Sequence, residues 1–157
     1  LFVNSKTGLA TLKLNNWESG GIAEEEKRDD FVCCIRNPPR VSWALCIPYE
    51  TDGEIKSTYP DFIIIRKDDR FEYVIDILEP HNPDFKDNLN KAKAFAEYAK
   101  QNPELGRIQL IRLSKDFAKA NRFKRLDMYK TSVREKVLHA VSNDELDHIF
   151  DTDGFFD

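Results

Sequence analysis

Two runs dense in β-branched and aromatic residues, 59–66 and 71–78, are separated by the polar stretch Lys67, Asp68, Asp69 and Arg70, and this pairing constrains the fold of the chain more than any other feature. Ile, Val, Phe and Tyr suit a pleated, half-buried strand, and a short polar break between two such runs predicts an antiparallel hairpin. With Lys67 to Arg70 as the loop, Arg66 faces Phe71 and the register sets Asp61 directly opposite Asp76. Cross-strand partners on one face stand roughly 5 Å apart at Cβ, where like charges are destabilising. Tyr59, Ile63, Ile65, Val74 and Leu78 share the expected face, so the two acids have apolar neighbours. Such a pair needs a shared proton or a divalent cation to offset its repulsion; a hard cation such as Mg2+ uses one or two carboxylates and keeps waters for a phosphate. A slip in register, or an acid solvated at a strand end, would leave the two carboxylates apart.

The elements around the hairpin follow from caps and periodicity. Asn82 and Pro83 form a helix start before residues 84–100, where Phe85, Leu89, Ala92, Ala96 and Ala99 recur at spacings of four and three to make one narrow apolar face. Residues 107–113 read as a strand returning parallel to the second hairpin strand through that helix. Upstream, residues 31–36 and 41–49 read as strands, the second with Trp43, Leu45 and Ile47 on one face. Asn15 or Asn16 caps a first helix from Trp17 to about Asp30, carrying the acidic run Glu24, Glu25 and Glu26. Ser114 caps a basic helical region reaching Val141, and Ser142 or Asn143 caps a short acidic helix. The expectation is an α/β fold of one domain, 1–157, with a mixed four- to five-stranded sheet flanked by helices. Its core spans 15–112, and 114–157 forms a C-terminal helical extension.

Charge is segregated along the chain. The 24 Lys and Arg against 28 Asp and Glu give a net −4, yet residues 1–106 carry −5, residues 107–136 carry +7 and the last 21 residues carry −6. The basic segment is the expected contact with a DNA backbone, since lysine and arginine bind phosphate by counterion release; a solvated helix face is the alternative. Its aromatics Phe117, Phe123 and Tyr129 read as core. Three cysteines without framework spacing point to reduced thiols and a cytoplasmic setting. No run approaches the roughly 20 apolar residues of a membrane-spanning helix, so no membrane partner is expected. The first residue is Leu, which reads as a piece of a longer protein.

Tyr59, Pro60, Asp61 and Phe62, followed by Val74, Ile75, Asp76 and Ile77, look like the PD-(D/E)XK nuclease motif. More widely, residues 35–38 (IRNP), 43–50, the PDF tripeptide and residues 76–81 (DILEPH) resemble the C-terminal nuclease-like domain of DEAD/DEAH-type helicases related to type III restriction subunits, over about 15–112. The resemblance implies a restriction-endonuclease-like core, DNA phosphodiester hydrolysis with Mg2+ or Mn2+ held by Asp61 and Asp76, and a helicase or ATPase region in the same or a partner chain. One departure stands out: the lysine two residues after the second acid is replaced by Leu78. Some members of the fold take this lysine from a neighbouring helix. Lys93, flanking the apolar face of 84–100, is the expected donor, with Lys91 further round and solvated.

Glu79 is a candidate further metal ligand, and His81 a candidate base or phosphate contact; a polar turn shaped by Pro80 and Pro83 is the plain alternative. Glu25 offers another carboxylate or sits on a solvated acidic face. A catalytically degenerate fold that binds DNA, or docks a protein, is the second functional reading, and Leu78 is its main support. No phosphate-binding glycine-rich loop is present, so the chain by itself reads as no ATPase.

Overall fold

A computed structural model of the chain describes residues 6–8, 13–82, 84–114 and 122–157. Helix α1 (Asn16–Glu25) opens on a capping box: Asn15 Oδ1 accepts from the Trp17 and Glu18 N–H groups, and the Glu18 carboxylate accepts from Asn15 N–H, all at 2.9 Å. Strand β1 (Phe31–Arg36) follows, then a separate hairpin of β2 (Ile47–Thr51) and β3 (Glu54–Thr58). The central pair is β4 (Phe62–Asp68) and β5 (Glu72–Pro80), followed by α2 (Asn88–Gln101), β6 (Ile108–Leu113), β7 (Phe123–Asp127), α3 (Thr131–His139) and α4 (Asn143–Asp153). The five-stranded sheet runs β1-β4-β5-β6-β7, with β5 and β6 parallel and the other pairs antiparallel. The architecture is α/β with a mixed sheet. One core, including Ile77, Phe95, Leu110 and Phe150, lies between the sheet and α2, α3 and α4; a second, of Ile22, Phe62, Ile64, Leu78, Ile111 and Phe123, lies under α1.

Four expectations about elements change. Residues 39–46 form turns rather than the start of a strand, because the buried Asn37 side chain clamps the loop: Oδ1 accepts from Leu45 N–H, and Nδ2 donates to the carbonyls of Leu45 and Pro60. Trp43 is therefore 59% exposed while Ile47 is buried, and the two share no strand face. The basic region contains strand β7 instead of a continuous helix, since alternating Phe123, Arg125 and Asp127 pair against β6; residues 115–121, with Phe117, Lys115 and Lys119, lie outside the described residues. Helix α2 starts at Asn88, after Asn82 has spent its side chain on the Asp84 N–H; Pro83 lies outside the described residues.

The fourth difference is the register. Asp68 pairs with Glu72, leaving Asp69, Arg70 and Phe71 as a three-residue loop. The Asp68 carboxylate accepts from the N–H groups of Arg70 and Phe71, and Glu72 takes the left-handed φ of 66° that commonly closes such loops. Arg66 consequently faces Val74, Ile64 faces Asp76 and Phe62 faces Leu78. This is a three-residue slip from the expected pairing, and an odd slip turns one strand's side chains to the other face. Asp61 and Asp76 are on opposite sides of the sheet.

Candidate active site

Extended by one pair beyond Phe62 and Leu78, the observed register brings Asp61 across from Glu79. The Asp61 N–H donates to the Glu79 carboxylate at 2.8 Å, and both side chains line a cleft of about 330 Å3 beside α2. His81, two residues past Glu79 on the same strand face, lines the same cleft. Helix α2 adds Asn88, Lys91, Ala92 and Phe95, a spacing of three, four and seven that presents one helical face. Arg36, at the end of β1, holds Asp61 at 3.1 Å and Glu18 at 2.6 Å, with its guanidinium 4.9 Å from the Phe62 ring.

Burial sets the protonation of these groups. It pushes the Glu79 carboxyl up to about 8, with the Asp61 charge adding to the rise and the Asp61 N–H, Lys91 and Arg36 opposing it. Asp61 is raised by the same desolvation, partly offset by Arg36. His81, 5% exposed, is driven down to about 4 by burial and then by Arg112, so its imidazole is neutral at pH 7. The ring stacks on Phe150 at a centroid distance of 5.0 Å, and its Nε2 has no hydrogen-bond partner among the described residues. A buried ring nitrogen without a partner carries the cost of its lost hydration.

Asp76 is elsewhere. On the α1 side of the sheet its Oδ1 accepts from Arg66 Nη2 at 3.0 Å and Arg107 N–H at 2.6 Å, and its Oδ2 accepts from Arg66 Nε at 2.5 Å and Arg107 Nε at 2.7 Å. Glu25, expected as a spare acid or a solvated one, is 2% exposed and bonds Arg107 and the fully buried Arg125 in the same network. A Cβ at Gly106 would lie 2.0 Å from Asp76 Oδ1, so the close approach of this turn requires glycine. With both oxygens saturated by arginine, Asp76 balances charge inside the fold and stands apart from the Asp61 cleft.

The expected Lys93 is likewise displaced by Lys91. Two residues of helix correspond to about 200° of rotation, so the face presenting Asn88, Lys91 and Phe95 to the cleft directs Lys93 away from it. Lys91 Nζ is 3.0 Å from Asp87 and 5.8 Å from the Phe85 ring centroid. Described cations of the basic segment are largely engaged internally: Arg112 with Asp147 and Asp151, Arg125 with Glu24 and Glu25, and Lys136 with Asp153. Lys124 and Arg122 bond the carbonyls of Asp151 and Asp157. The acidic C-terminal stretch thus engages Arg112, Arg122, Lys124, Arg125 and Lys136 among the cations expected to meet DNA. Asn88 had no sequence signal of its own, since only the packing of α2 brings it to the cleft, and Arg36, within the IRNP run, meets Asp61 only through the pairing of β1 with β4.

A family model described as the YagJ family matches residues 1–155. Protein YagJ of Escherichia coli (strain K12) is 28% identical over 134 residues, covering 85% of this chain and 53% of that protein. The chain therefore spans about half the length of this curated relative. No solved structure matches the chain. Among the described residues no helix is long and apolar enough to cross a membrane.

Proposed function

We propose for this chain, which belongs to the YagJ family, and from the chemistry of its cleft alone, that the domain hydrolyses DNA phosphodiester bonds with Mg2+ or Mn2+. The observation that carries the reading is the opposition of Asp61 and Glu79 in one cleft, which His81 also lines. Two carboxyls raised by burial fit a hard divalent cation, which uses one or two carboxylates and completes its shell with water and phosphate. Bound there, the cation would supply a more acidic water and offset negative charge on the phosphate. Asp61 and Glu79 are its holders, and Arg36 orients the Asp61 carboxylate. His81 lines the cleft as a neutral imidazole at pH 7. Lys91 balances phosphate charge from α2.

The observed register also alters the resemblance to PD-(D/E)XK nucleases. With Glu79 as the second acid instead of Asp76, the residue two positions later is His81 rather than Leu78, a side chain that carries protons. This supports a restriction-endonuclease-like assignment of the core, and with it a helicase or ATPase region of the same or a partner chain as the associated motor. The degenerate, non-cutting reading draws on a different observation: among the described residues no three His, Cys, Asp or Glu side chains cluster to hold a metal.

Cleavage of circular DNA, supplied both single-stranded and as duplex plasmid, in Mg2+ or Mn2+ tests the proposal. Asp61→Asn and Glu79→Gln are each expected to lower the rate by about 100-fold or more, the scale of losing an essential charge-stabilising group. Cleavage that survives both substitutions rejects the site, and DNA binding without cleavage in the unsubstituted protein favours the degenerate form.

A further inference from the structure

The mouth of the cleft carries features that its carboxylates do not use. Phe85, on the loop between β5 and α2, lines the cleft yet is 55% exposed and belongs to neither core. Tyr59, on the loop between β3 and β4, lines it from a second element. A cation accompanies the first ring: Lys91 Nζ stands 5.8 Å from the Phe85 centroid. Arg40 is exposed and held at a φ of 62°, a conformation uncommon for a side-chain-bearing residue and often retained for function. Its neighbour Pro39 also lines the cleft.

Resting on the nuclease reading, we infer that the cleft takes single-stranded DNA, with unpaired bases stacked on Phe85 and Tyr59 and the backbone held by Lys91 and Arg40. The exposed Phe85 and the half-buried Tyr59, set among cations, form the kind of surface that binds an unpaired strand, because every base offers a π-face and every linkage a phosphate. The dimensions agree. A cleft of about 330 Å3 sits at the small end of ligand sites and admits a flexible nucleotide unit. A base-paired duplex presents its phosphates on a stiff cylinder with its bases already stacked inside, so it offers these rings nothing to stack and cannot bend into the cleft. The described cations of the 107–136 segment that could grip a duplex are largely engaged with acids and carbonyls of the same chain.

Fluorescence anisotropy with a labelled oligothymidylate and a hairpin duplex of matched length, both in Ca2+ to hold the substrate uncut, tests this. The single strand is expected to bind at least about tenfold more tightly. Phe85→Ala should weaken it roughly 5- to 150-fold, the range for one stacked base, while Phe85→Trp retains affinity and duplex binding is unchanged. Equal or tighter duplex binding, or indifference of the single strand to Phe85→Ala in a protein with an unchanged melting temperature, overturns the inference. Mn2+ calorimetry on the same samples separates the two levels. Mn2+ binding that depends on Glu79, with no single-strand preference, rejects only the inference, whereas loss of both DNA and Mn2+ binding rejects the nuclease reading with it.

Discussion

Loading the Asp61 and Glu79 cleft with a divalent cation should expel a proton, and the amount is set by the structure. Desolvation and the neighbouring Asp61 hold the Glu79 carboxyl at about 8, so at pH 7 it is about 90% protonated in the free protein. A cation requires the ionised form. Binding should therefore release about 0.9 proton at pH 7, about 0.5 at pH 8 and about 0.1 at pH 9, with affinity rising about tenfold per unit below pH 8 and levelling above it. His81 adds nothing to this count, being neutral throughout that range. Isothermal titration of Mn2+ in two buffers of different ionisation enthalpy measures the release directly, and Glu79→Gln supplies the control because its amide has no proton to give. Release below about 0.2 proton at pH 7, or release unchanged in Glu79→Gln, would mean that the cation binds elsewhere or that the carboxyl is not elevated, and the reasoning fails.

The same carboxyl makes stability depend on pH. Its folded value lies above the ordinary 4.5, so its contribution is fully present below about 4.5 and is lost as pH rises through about 8; urea denaturation should show Glu79→Gln gaining about 2–3 kcal/mol on the unsubstituted protein between pH 6 and pH 9. Asp76→Asn takes from the half-buried Arg66 and Arg107 the carboxylate they share, leaving only Asp30 and Glu25 beside them, and should cost about 3 kcal/mol in urea denaturation at pH 7. If the folded fraction of Asp76→Asn retains Mn2+ binding, as its position on the other sheet face requires, Asp76 and the cleft are separate systems.

Much of the architecture was legible in the residues because it depends on local rules. The Asn15 and Glu18 pair dictates its capping box, β-branched runs dictate β1, β4 and β5, and a helix between two apolar strands dictates the parallel β5–β6 step. Glu79 and His81 could be nominated from their place at a strand end. The partnership of Glu79 with Asp61 could not, because it turns on whether Phe71 belongs to the strand or to the loop. Composition gives Phe71 to the strand; the hydrogen bonds of Asp68 and the left-handed Glu72 give it to the loop. That choice shifts the pairing by an odd number of residues, carries Asp76 to the arginines under α1 and leaves Asp61 facing Glu79. Lys91 supplanted Lys93 for a similar reason, since which lysine meets the cleft depends on how α2 is rotated as it packs on the sheet. Alternation and caps act over a few residues and are written in the chain, whereas register, helix rotation and the partners of buried charges are settled by contacts between Arg36 and Asp61, or Asp76 and Arg107, that exist only after the chain has folded.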